Sequence, residues 1–157
     1  MSCWFTGQKP QAAFRLRANF NSHFGDADDY STITVRFPEA VALLEGSWTT
    51  VNSGGVNGPI LFGLEGTIVV QLDGKVEIYK KRRSQVPDRI VEPEPLPAGR
   101  ENLARETLHY LDTGEALFPM LDLPLNMSAV SILDAGARSA KSGKMEPAND
   151  YFWCAGA

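Results

Sequence analysis

The sequence predicts an α+β fold, with one mostly antiparallel, twisted open sheet and helices packed on one of its faces. Three observations lead there. Apolar and polar residues alternate with period 2 through much of the chain up to residue 81. The period changes to 3.6 only after residue 98. No glycine turn carries a strand into a helix. Strands in one run followed by helices in another give segregated layers, not the alternating units of a parallel sheet. A chain of 157 residues is long enough for one domain with a real core, taken here as residues 1–146 with 147–157 as a C-terminal tail.

Each element has its own justification. Met1 to Thr6 read as the end of a helix stopped by Gly7, with Pro10 shortly beyond, and this suggests that further sequence belongs upstream. QAAFRLRANF (11–20) alternates, with Phe14 and Leu16 on one side and Arg15 and Arg17 on the other. YSTITVRF (30–37) opposes Ile33, Val35 and Phe37 to Thr32, Thr34 and Arg36, and its β-branched content favours a strand. Pro38 ends it, and AVALLEGSWTTV (40–51) returns as the second arm of a hairpin. GPILFG gives a short strand, and TIVVQLDGKVEIYKK (67–81) a hairpin with Asp73-Gly74 as a two-residue turn. The proline-rich stretch 82–98 is an extended connection. Residues 99–114 then form a helix with Ala104, Leu108 and Leu111 inward and Gly114 at its stop. Residues 123–144 form another, with Val130, Leu133 and Ala137 inward, Gly136 and Ala140 allowing close approach to a sheet, and Gly143 at its end.

Composition excludes several functions. A net charge of −4 argues against broad affinity for nucleic acid or anionic lipid. The basic run Lys80-Lys81-Arg82-Arg83 reads as a solvated strand end. No apolar run approaches the ~18 residues of a membrane helix. Cys3 and Cys154 near opposite ends, with no leader-like segment, fit reduced thiols in the cytoplasm.

The stretch GPILFGLEGTIVV (58–70) carries three glycines, but they precede a strand. A dinucleotide site needs glycines between a strand and the helix whose N-terminus holds the pyrophosphate. Gly63 and Gly66 are therefore expected to turn the chain between adjacent strands, and no cofactor-binding residue is expected here. Other groups weigh less. His23 with Asp26, Asp28 and Asp29 offers metal ligands on paper, but a polar turn bonding its own backbone fits better, so no metal site is expected. Glu106, His109 and Asp112 read as a solvated helix face, because a carboxylate metal bundle needs two Glu-x-x-His motifs. Ser47, Ser53 and Ser128 lack a nucleophile elbow. Trp48 is expected to pack on the sheet or core.

Six segments, taken in order, resemble a known family. WFTGQKP (4–10), DDYSTITVRF (28–37), LLEGSW (43–48), FGLEGTIVV (62–70), the helix at 99–113 and SILDAGARSAKSGK (131–144) are similar to the C-terminal domain of the Gfo/Idh/MocA oxidoreductases. The resemblance covers residues 4 to 146. It implies a substrate-binding and oligomerisation domain whose open sheet face pairs copies, and a separate N-terminal Rossmann domain, in cis or trans, that holds NAD or NADP. It also implies substrates among sugars, polyols and related compounds, with hydride moved by the cofactor and the proton by acid–base residues. The family's Glu-Lys-Pro lysine and its Asp…His pair would lie upstream of Trp4 and Gly7. No catalytic residue is therefore carried over, and Lys9 matches the linker into the first strand instead. The chain alone is expected to be inactive. The alternative is a stand-alone, dimerising sheet module that binds carbohydrate or protein without catalysis.

Overall fold

The computed structural model describes residues 1–21, 23, 27–50 and 58–148. They form an α+β fold in which every strand pairing is antiparallel. The strands divide between two four-stranded sheets where the sequence suggested a single one. Two compact units result, one of Met1–Thr49 with Asn102–Ala157 and the other of Thr50–Glu101.

In the first unit, α1 (Ser2–Thr6) ends at Gly7, whose φ of 62° is the left-handed cap expected of that glycine. β1 (Ala12–Ala18), β2 (Tyr30–Arg36) and β3 (Val41–Ser47) follow, with β2 and β3 forming the expected hairpin. The sheet order is β3-β2-β1-β8, and β8 is the short strand Glu146–Pro147. Arg138 fastens that strand, bonding Glu146 at 3.1 Å and the Pro147 carbonyl at 2.6 Å while its Nε donates to Asp134 at 3.0 Å.

The helix α3 (Leu123–Ser142) lies on one face of this sheet and ends at Gly143, φ 67°. Cys3, Ala13, Val35, Phe37, Ile132, Ala135 and Ala148 make the core between them. The inner face of α3 differs from the expected one. Ser128, Ser131, Ile132, Ala135, Gly136 and Ser139 are buried, whereas Ala137 is exposed and Leu133 is 58% exposed. Small residues let the helix approach the sheet, and two of the serine hydroxyls return to carbonyls of their own helix, Ser128 to Pro124 at 3.1 Å and Ser131 to Ser128 at 2.8 Å, while Ser139 Oγ accepts the Arg15 N–H of β1 at 3.0 Å. Buried hydroxyls satisfied in this way cost little.

β1 holds a related surprise. Its Ala13–Arg15 side faces α3, since a side chain at Gly136 would touch Arg15 and Ile33. Phe14 and Leu16 therefore take the opposite face, in rows with Thr34 and Leu43, and with Thr32 and Glu45.

α2 (Leu103–Thr113) begins at Asn102, whose side chain accepts the Arg105 N–H, and stops at Gly114, φ 73°. Ala104, Leu108 and Leu111, expected inward, are exposed. Glu106, expected in solvent, is 1% exposed, and its Oε1 accepts the Phe118 N–H at 2.8 Å. A carboxylate can be buried when backbone donors replace water. A 3₁₀ turn, Pro119–Leu121, then leads into α3.

The second unit is a meander of β4 (Ile60–Phe62), β5 (Thr67–Val70), β6 (Val76–Tyr79) and β7 (Arg89–Val91). Gly63 and Gly66 close the β4–β5 turn, with the Gly63 N–H donating to the Gly66 carbonyl at 2.8 Å. A Cβ on Gly66 would run into the Tyr79 carbonyl of the neighbouring strand. The β5–β6 turn is longer than expected: Gln71 and Lys75 bond across it at 2.8 Å, and Gly74 alone has positive φ, 85°. That is a turn followed by a left-handed glycine, the usual form of a longer hairpin loop. β7 emerges from the proline-rich connection because Pro87 and Pro93 lie outside its three residues, leaving their N–H groups free to pair at a sheet edge. Among the described residues, no helix is long and apolar enough to cross a membrane.

Candidate binding recess at the end of the first sheet

A recess of about 320 Å³ opens where β1, β2 and β3 end, within the first unit. Arg15, Asp28, Ser31, Gly46, Ser47 and Trp48 are among its walls. Arg15 is placed there by its backbone and its stem. Its N–H donates to Ser139 Oγ of α3 at 3.0 Å, and its chain runs past Gly136. Its Nε donates to Ser31 Oγ at 2.8 Å, and Nη2 lies 3.6 Å from Asp28 Oδ2. Arg17 Nη1 donates to the same oxygen at 3.1 Å.

Asp29, 1% exposed, braces the floor. Its carboxylate accepts the N–H groups of Phe20 at 2.9 Å and Asn21 at 2.7 Å, and its carbonyl accepts the Trp48 N–H at 2.9 Å. The polar turn expected of these aspartates is thus present for Asp29, while Asp28 joins an arginine pair. Asp26 lies outside the described residues, His23 is exposed, and no cluster that could hold a metal occurs among the described residues.

Trp48 is 90% exposed and contradicts the expectation that it packs away. The remaining sequence candidates are scattered. His109 pairs with Glu115 at 2.8 Å across the Gly114 turn, Ser47 bonds Thr49, and Lys9 is exposed. Ser53 and Cys154 lie outside the described residues. Burial pushes the Cys3 thiol up from its ordinary value, so it stays protonated and unreactive. In the basic run, Lys81 pairs with Asp88 at 3.3 Å and the other three side chains are exposed. On the far side of the sheet, Glu45 accepts the Tyr30 hydroxyl at 2.9 Å and raises its pKa. A larger recess of about 480 Å³ beside the β2–β3 turn has its one carboxylate, Glu39, engaged by Gln8.

Sequence reasoning singled out Asp28 and Trp48, but it missed Arg15 as a wall of the recess. An arginine alternating with apolar residues reads as solvated; only the pairing with Ser31 and the glycine on α3 reveal its position.

No protein-family model and no curated protein matches the sequence. Solved structures do match. An oxidoreductase from Agrobacterium radiobacter, in complex with NAD+, L-tartaric acid and magnesium, is 14% identical with a TM-score of 0.67, over 94% of this chain and 45% of that one. Aldose-aldose oxidoreductase from Caulobacter crescentus, complexed with glycerol, is 18% identical with a TM-score of 0.70, over 93% and 43%. The WlbA dehydrogenase from Bordetella pertussis, in complex with NADH and UDP-GlcNAcA, is 17% identical with a TM-score of 0.58, over 88% and 40%. At these identities the likeness is one of fold. The neighbours are Gfo/Idh/MocA-type oxidoreductases, and this chain spans less than half the length of each.

Proposed function

We propose that the chain is the substrate-binding and oligomerisation part of an NAD(P)-dependent oxidoreductase that acts on sugars, polyols or related compounds. The observation that carries this reading is the match of nearly the whole fold to under half of oxidoreductases solved with NAD+ or NADH, glycerol or a nucleotide sugar. The cofactor is then held by a Rossmann domain outside this sequence, in cis or in trans. Support comes from the glycine-rich stretch, which joins two antiparallel strands at Gly63 and Gly66 and offers no helix N-terminus for a pyrophosphate. The hydride-transfer chemistry belongs to that cofactor, and this part shapes the pocket.

Calorimetric titration with NAD(H) and NADP(H) tests the division of labour. The expected result is no tight binding by the chain itself and turnover of a sugar or polyol once a Rossmann partner is supplied. Tight binding of either cofactor to the chain alone overturns it.

A second reading has an observation of its own. Leu16, Val41 and Leu43 are exposed on the sheet face opposite α3, where a stand-alone module would pair its copies or hold a carbohydrate or protein partner. Under either reading we expect dimers or larger species by sedimentation, and Leu43→Glu is expected to shift them to monomers. Lack of turnover with any supplied Rossmann partner favours the module.

A further inference from the structure

We propose that the recess bounded by Arg15, Asp28, Ser31, Gly46 and Trp48 binds one neutral, polyhydroxylated ring, with Trp48 as its stacking surface. The proposal deepens the reading above, and it rests on that reading only for the choice of sugar-like probes. Four features of the recess carry it.

The first is an indole, 90% exposed, whose backbone is pinned by the Asp29 carbonyl at 2.9 Å. An aromatic face left in water at a recess suits the C–H face of a ring, which is apolar and flat. The second is Gly46, where an added Cβ would meet nothing within 4 Å, so the floor beside the indole is open. The third is a set of unused hydrogen-bonding groups on the other wall. Arg15 spends Nε on Ser31 and sets Nη2 against Asp28 Oδ2. Among the described residues, Arg15 Nη1 and Asp28 Oδ1 take no hydrogen bond, and the Ser31 hydroxyl accepts from Arg15 with its own proton free. A donor, an acceptor and a hydroxyl side by side match neighbouring hydroxyl groups, each of which both donates and accepts. The fourth is charge. The Arg15 and Arg17 guanidiniums both face the Asp28 carboxylate, and the buried Asp29 carboxylate beside it supplies the second negative charge, so the group carries no net charge to draw a phosphate or a carboxylate. That balance selects a neutral ring over an anion.

The wall is also built to stay in place. Ser139 holds the Arg15 N–H at 3.0 Å, and the Asp29 carboxylate holds two further N–H groups at its base. Backbone fixed before binding leaves less ordering to be done by the ligand.

The test uses the chain as it is, titrated with xylose, glucose and myo-inositol as neutral probes and glucuronate as the anionic one, followed by amide and indole NMR shifts. The expected result is saturable shifts at Gly46 and at the Trp48 indole with the neutral rings. Trp48→Ala and Asp28→Asn should each weaken binding by about tenfold or more, the loss of one good contact. Gly46→Val should abolish binding while amide shifts elsewhere stay unchanged, because open space at that position lets the variant fold. Neutral rings that bind Gly46→Val as well as the parent overturn the proposal. So does glucuronate binding more tightly than the neutral rings, or an absence of shifts at Gly46 and Trp48 with every probe. The cofactor titration keeps the two conclusions apart. No ring at Gly46 with no cofactor binding sinks this inference alone, whereas a ring at Gly46 with tight nicotinamide binding sinks the function above and leaves the recess standing.

Discussion

The two sheets are built from the same number of strands, four each, and are supported in different ways. The first has α3 against one face and a continuous core that runs from Cys3 through Val35 and Phe37 to Ile132 and Ala148. The second has only Val69 among the buried side chains of the described residues, and its strands are three or four residues long. Its order comes from turns: Gly63 to Gly66, Gln71 to Lys75, and the Asp88 side chain on the Lys80 N–H at 2.8 Å. The difference teaches that packing secures one unit and backbone chemistry the other, and each should fail to a different kind of substitution.

The largest effect is expected from Phe37→Ala, which empties a site 2% exposed at the centre of the first core. Such truncations cost about 3–5 kcal/mol. Denaturant unfolding should move by that amount, and amide exchange should quicken in β1 and β2 but not in β5 and β6. Equal loss of protection in both sheets would break the comparison. Gly66→Ala addresses the other unit, where the new methyl meets the Tyr79 backbone rather than a pliable side chain. Overpacking of this kind costs about 1–3 kcal/mol, and exchange in β5 and β6 should report it while β1 and β2 stay protected.

The smallest effect is one of pH. The N–H of Lys75 holds Asp73 below the ordinary carboxylate value, and the N–H of Lys80, followed by the Lys81 side chain, does the same for Asp88. A depressed carboxylate contributes stability that is present above its unfolded pKa and is lost as pH falls through its folded one. Both groups are exposed, so the change is slight and screened by salt. Carboxyl NMR titration should place both below the ordinary aspartate range. Ordinary values for both would remove the turn-based account of the second sheet.

Much of the first unit was legible in the sequence because its punctuation is local. Gly7, Gly114 and Gly143 end three helices in the left-handed conformation, and alternation marks β1 to β3. What the pattern could not say was which side faces inward. Apolar periodicity pointed to Val130 and Leu133, but the buried side of α3 is a run of small residues and serines whose hydroxyls are satisfied within the helix or, for Ser139, by the Arg15 N–H of β1. β1 misled for the same reason: Arg15 has a carboxylate and a hydroxyl to meet near α3, so the charged side could turn inward. Glu106 was unreadable because its partner is a backbone N–H twelve residues away. β7 and β8 are three and two residues long, shorter than any window in which period 2 can be counted. The recess was half legible: the indole and the aspartate stood out, but the guanidinium between them depended on a contact with α3.

The bond from the Ala148 N–H to the Gln11 carbonyl, 2.9 Å long, ties the residue after β8 to the residue before β1. One edge of the sheet and the approach to its β1 strand are thus held by a single backbone contact. A larger side chain at Ala148, which is 9% exposed, is therefore expected to loosen the sheet edge and the lead into β1 together.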